Sequence, residues 1–161
     1  MTDDVLTDDI DTLDLLWQRI ATIRSLYFDA KSTSATGWTG RGKGQVIVSQ
    51  PSDDALGFEE SGLFTPGRGE PFVFHNVYRW TRNADTSPLI QLEHLRFGVN
   101  HPVLLFDLAP ETPTLWRSTA PHVCGDDRYT ARLDIEPDHL RLTWIIKGPA
   151  KAESLVYRYE S

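Results

Sequence analysis

The chain has 161 residues, the size of one ordinary domain, so an enzyme with separate cofactor and substrate domains is excluded. Hydrophobic residues make up 40% and charged ones 24%, with 7 Phe, 5 Trp and 5 Tyr, which is enough apolar surface to close one packed core. Against 16 basic side chains stand 23 acidic ones, a formal charge of −7 whose field repels phosphate backbones and anionic lipid, so nucleic acid is not an expected partner.

The chain starts with an acidic stretch where a secretory leader is basic and then apolar, and its single cysteine, Cys124, has no partner for an internal disulfide. Both features point to a cytoplasmic protein. Leu13, Leu16, Trp17 and Ile20 then recur at steps of three and four behind Thr7-Asp8-Asp9, which predicts an amphipathic helix over about residues 8–19 with its acidic start at the positive dipole end. Beyond it come short runs rich in Val, Ile, Leu, Tyr, Phe and Trp, bounded by Gly, Pro, Asn, Asp or Ser, at 23–28, 45–49, 55–60, 72–81, 89–97, 103–108, 115–118, 127–135, 140–146 and 155–159. The glycine-rich stretch from Gly37 to Gly44 lacks the GxxxxGK[ST] ending of a phosphate cradle and leads into a strand, so it reads as a hairpin with close backbone approach. Lys147-Gly148-Pro149-Ala150-Lys151 reads as a turn with its lysines at the rim.

Connections this short cannot hold helical crossovers, so nine or ten strands follow one another in antiparallel, meander order. An open sheet of that size would leave two hydrogen-bonding edges, and closure into a barrel removes them. The predicted class is therefore all-β with one N-terminal helix, an antiparallel up-and-down barrel whose helix caps one mouth as a single domain over 1–161. The competing arrangement is a two-sheet sandwich. No run approaches the ~20 apolar residues of a membrane span.

The densest polar cluster is His122, Cys124, Asp126, Asp127 and Tyr129. Zinc would need three well-placed protein ligands, and nothing elsewhere repeats the spacing, so no metal is expected. A Cys124–His122 nucleophile pair needs a third group to orient the base, which Asp126 or Asp127 could supply, and a lowered thiol pKa, for which the sequence shows no context. The plain alternative is that these side chains bond backbone groups at a loop-to-strand corner. A second cluster surrounds His94 and Arg96. In an extended strand at least one ionisable group of 91–96 enters the barrel, and an inward Arg96 flanked by His94 would anchor a carboxylate; the alternative is an internal ion pair with Glu59, Glu60 or Asp107. Arg79, between Tyr78 and Trp80, is a third cation suited to a ligand charge or to stacking outside. Phe72, Phe74, Tyr78 and Trp80 share one face and, with Trp144 and Tyr157, line a lumen for a flat apolar ligand or fill it completely.

PHVCGDDRY at 121–129, the W-x-x-K-G-P-x-K segment at 144–151 and the closing YRY at 157–159, together with FHNVYRW at 74–80 and LEHLRFG at 92–98, resemble an uncharacterised family of lipocalin-like domains with PHxCxxDxY and GPxK motifs. The resemblance runs over roughly residues 13–160. It implies a calycin-type antiparallel barrel with an N-terminal helix and brings no established substrate or catalytic residue. More distant lipocalin-like relatives bind fatty acids or haem, or act as S-type phycobilin lyases, so a lipid-like, haem or tetrapyrrole ligand is implied by fold analogy alone. The expected function is a binding protein for a small, mainly apolar molecule, flat or acidic, held by Arg96, His94, Arg79, Tyr78, Trp80, Phe74, Trp144 and Tyr157. The alternatives are an enzyme or lyase using His122, Asp126, Asp127 and Tyr129, and a protein-interaction domain without a ligand.

Overall fold

The computed structural model describes residues 2–34, 38–83, 85 and 87–161; the side chains of residues 2–10 and of Cys124 are outside the described set, as is Gly37. One helix, α1 (Thr2–Ala21), precedes eleven strands: β1 (Ser25–Ser32), β2 (Gly40–Ser52), β3 (Ala55–Pro66), β4 (Phe72–Asn83), β5 (Leu89–His94), β6 (Val103–Thr112), β7 (Leu115–Ser118), β8 (His122–Cys124), β9 (Asp127–Ile135), β10 (Leu140–Lys147) and β11 (Ala152–Glu160).

Every pairing is antiparallel and joins neighbours in sequence, except that β7 pairs with β9, passing over β8, and that β11 closes the sheet on β1, with Leu26 opposite Tyr159; β10 pairs with both β9 and β11. Ten strands thus form a closed up-and-down barrel, and a sandwich is ruled out. The eleventh, β8, is short. It lies on the same edge of β9 as β7, pairing with 127–129 where β7 pairs with 132–134, so the two occupy successive stretches of one edge. Gly125 opens the tight β8–β9 hairpin at φ 63°, a left-handed angle that only glycine adopts without strain.

The alternation along each strand decides what enters the barrel. In β3 the inward row is Leu56, Phe58, Glu60 and Phe64; in β10 it is Leu140, Leu142, Trp144 and Ile146; in β11 it includes Tyr157 and Tyr159. Trp116, Phe58, Phe106 and a ring of leucines are fully buried and fill the helix-side half of the axis. A lumen hollow along its length is therefore not what the rings build. The close backbone approach expected of the glycine-rich stretch is present inside β2, since a Cβ on Gly42 would overlap the ring of Phe28, its cross-strand partner on β1. Glycine there gives Phe28 its inward seat.

Helix α1 closes one end, with Leu13, Leu16, Trp17 and Ile20 all at most 5% exposed. Each such burial contributes roughly 2 kcal/mol. Arg19 fixes the helix to the β9–β10 turn by donating to the carbonyls of Glu136 (2.8 Å) and His139 (3.2 Å), and Arg82 of β4 stacks on Trp17 while pairing with Asp14. The helix starts six residues earlier than its predicted limit, so the acidic stretch lies within its first turns, where negative charge suits the dipole. It ends where the Thr22 and Ile23 amides bond back to Arg19 and Ile20, and the β-branched pair leads into β1.

Candidate functional site

The end opposite α1 is ringed by the β1–β2, β3–β4, β5–β6 and β10–β11 connections and by the β8–β9 hairpin. Inside it lies a recess of about 290 Å³ lined by Phe28, Ala30, Trp38, Phe64, Phe72, Phe74, Asn76 and Leu155. Its walls are rings in edge or tilted contact: Trp38 meets Phe72 at 5.1 Å and Phe64 at 6.1 Å, and Phe28 meets Phe74 at 5.4 Å. Trp38 is 64% exposed and Phe72 38%, so apolar surface faces the solvent at the rim of a concave site. A larger groove of about 580 Å³ lies over the outer faces of β1, β2 and β11. Its arginines are committed to ion pairs, Arg41 with Asp29, Arg141 with Glu136 and Arg158 with Glu160, and its lining mixes these charged groups with Tyr27, Leu63 and Val156.

Directly beneath the recess is a polar cluster in the barrel interior. Phe28 forms the floor and stacks on Tyr157 at 5.0 Å, Tyr157 stacks on Tyr159 at 5.5 Å, and the Tyr159 hydroxyl donates to Glu60 Oε2 at 2.7 Å. Tyr78 and Tyr157 share a hydrogen bond. Glu60 is wholly buried, and it is the sole charged or polar residue in the buried core among the described residues. Its second oxygen, Oε1, has no hydrogen-bond partner there. Burial pushes the Glu60 carboxyl up to about 7, partly offset by the Tyr159 bond, so the acid holds its proton to near neutrality. Burial and the neighbouring carboxyl raise all three phenols, which stay as hydroxyls. Asn76, on the recess wall, is the cross-strand neighbour of Glu60.

The structure separates the residues singled out from the sequence. Tyr78, Trp144 and Tyr157 turn inward into the cluster, Phe74 lines the recess, and Trp80 is inward but packs against Phe58 toward the helix end. His94 also turns inward, edge-on to Tyr78 at 4.9 Å, and burial followed by the Arg96 charge lowers its pKa. Arg96 and Arg79 do not reach the interior. The strand expected over 89–97 ends at His94, the chain turns at Gly98 (φ 95°), and Arg96 lies exposed over the Phe97 ring, its amide donating to His94 Nδ1. Arg79 alternates with Tyr78 and Trp80 and so faces outward, where Glu93 pairs with it at 3.0 Å. The suggested internal partners are also engaged elsewhere: Glu59 pairs with His75 outside, and Asp107 accepts from Gln91.

At the rim, His122 contacts the Tyr129 ring at 6.2 Å and Asp126 is exposed. Asp127 is committed to an ion pair with Lys151 at 3.2 Å rather than to His122. Among the described residues no group of three or more His, Cys, Asp or Glu is placed to hold a metal, and no helix is long and apolar enough to cross a membrane. The residue that sequence reasoning passed over as a site is Glu60. Its signal was available in the inward register Leu56, Phe58, Glu60, which sets a carboxylate in an apolar row.

A family model described as a family of unknown function (DUF6314) matches residues 24–161, the whole barrel without the helix. No curated protein and no solved structure matches the chain.

Proposed function

The chain belongs to this family of unknown function, and from its barrel architecture we propose that it binds a small, mainly apolar molecule with a flat body in the aromatic recess at the open mouth. The observation that carries the reading is the recess itself, at the lower edge of the usual volume for small-molecule sites and walled by five rings, two of them exposed to solvent. An unliganded surface gains nothing from leaving Trp38 and Phe72 in water, whereas a flat ligand between them buries their faces. An acidic head group has no support, because Arg96 and Arg79 lie outside and the buried interior offers a carboxyl instead. The formal charge of −7 disfavours nucleic acid as a partner, and the single cysteine suits a reducing compartment. Acid–base chemistry by His122, Asp126, Asp127 and Tyr129 is the weaker reading, since Asp127 is held by Lys151.

The test is a titration with neutral naphthalene-2-methanol, followed by tryptophan fluorescence. Trp38 is the exposed one of five tryptophans, so saturable quenching reports its site. Trp38→Ala is expected to lose about fivefold in affinity and Trp38→Phe to keep most of it, as aromatic contacts of about 1 kcal/mol imply. Quenching that rises linearly without saturation, or that survives Trp38→Ala in a heat-detected titration at full affinity, contradicts the assignment.

A further inference from the structure

We infer that the polar end of the ligand is an organic cation, a protonated amine on the apolar body, received by Glu60 Oε1 beneath Phe28. This rests on the recess being the binding site. An acid wholly inside a barrel needs a reason, because an unpaired buried carboxylate is strongly unfavourable and an apolar residue would pack there at no such cost. Glu60 has one partner, on Oε2, while Oε1 is buried and unpartnered. No buried cation among the described residues pairs with it, so an ionised Glu60 must be matched by a charge from outside the fold.

The surroundings suit an ammonium. Glu60 is held by the Tyr159 hydroxyl within electrostatic range of Tyr78 and Tyr157, and Trp144 meets Tyr78 and Tyr157 at 6.1 and 5.8 Å, so rings surround the acid. Aromatic faces attract cations, and they repel carboxylates. The titratable groups that face Glu60 are those three phenols, which stay neutral; His94 lies beyond Tyr78 and loses charge by burial. Arg82 and Asp14, toward the helix, pair with each other. The route is short. Phe28 lines the recess and stacks on Tyr157, which stacks on the Tyr159 that holds Glu60, and Asn76 on the recess wall is the cross-strand neighbour of Glu60. The overall charge of −7 draws cations toward the molecule and repels anionic ligands.

Three probes with one body separate this inference from the reading beneath it: 2-(2-naphthyl)ethylamine, naphthalene-2-methanol and 2-naphthoate, titrated by calorimetry into the intact protein. The amine is expected to bind at least about tenfold tighter than the alcohol, the size of one charge-assisted hydrogen bond, and the naphthoate weakest. In Glu60→Gln the amine-to-alcohol ratio should fall to about one. A second readout needs no variant. At pH 6 the free acid is protonated, and pairing with the ammonium ionises it, so wild-type protein should release up to about one proton per amine bound, seen as a dependence of the heat on buffer ionisation enthalpy. The release should fade by pH 8. Equal affinity of amine and alcohol, a preference for naphthoate, or amine binding at pH 6 with no proton released overturns the cation assignment and leaves the recess reading standing. Saturable binding of none of the three overturns both.

Discussion

Glu60 shows how a single residue's setting can be read as both a stability cost and a recognition element. In the unfolded chain its carboxyl ionises near the ordinary value of 4.5, and in the barrel it keeps its proton to about 7. The folded state therefore binds more protons between these values, and stability falls as pH rises through that window, then stays at its lower level above it. Measured against Glu60→Gln, which carries no titrating group, the wild-type protein should lose roughly 3 kcal/mol of relative stability between pH 4.5 and 7.5, since each pKa unit is worth about 1.4 kcal/mol. Urea unfolding of both proteins across that range checks it. A difference that does not change with pH would mean the carboxyl is solvated in the fold, and one that grows in favour of wild type as pH rises would mean it is paired with a cation. The sequence already held the parity that turns Glu60 inward, but reading 55–60 as a complete strand hid it: β3 continues to Pro66, and Phe64 resumes the apolar row beyond Gly62. Arg96 went the other way. Alternation extended past His94 would bury it, and the turn at Gly98, a matter of backbone conformation that periodicity does not encode, leaves it in water.

Among the elements, α1 was legible because large apolar residues spaced by three and four form a continuous stripe on a helix but scatter over both faces of a strand, and all four of those residues are buried against the barrel end. Its start was not, since acidic residues read equally well as a cap before a helix and as its first turns. The β8–β9 hairpin was partly legible: a loop-to-strand corner was expected at its aspartates, while the break between β7 and β8 depends on how both share one edge of β9. The cap function of the helix gives a contrast between two neighbouring positions. Trp17→Ala removes a buried indole that carries the Arg82 stack and should cost about 3–5 kcal/mol, whereas Leu15→Ala, at a 64% exposed position, should stay within about 0.5 kcal/mol. Thermal or urea denaturation of the two variants measures this. Similar losses at both positions would mean that the helix packs through a different face.

At the scale of the whole molecule, the barrel follows from ten strands that each bury one face and leave no edge unpaired, and closure through β11 and β1 was inferable from that requirement alone. Where the interior is filled and where it opens was not, because a row of aromatic residues supports a packed axis and a lined chamber equally well. The structure divides them: Trp116, Phe58 and Phe106 pack the helix-side half, and Phe28, Trp38, Phe64, Phe72 and Phe74 leave space at the mouth. That division is the basis for placing a ligand at one end. Its most direct test is a naphthalene-2-methanol titration of isotope-labelled protein followed by amide chemical shifts. Saturable shifts are predicted along 28–30, 38–42, 64–66, 72–76 and 155, with α1 and the β9–β10 turn unmoved. Saturable shifts confined to the outer faces or the helix end, or no saturable shift at all, would contradict it.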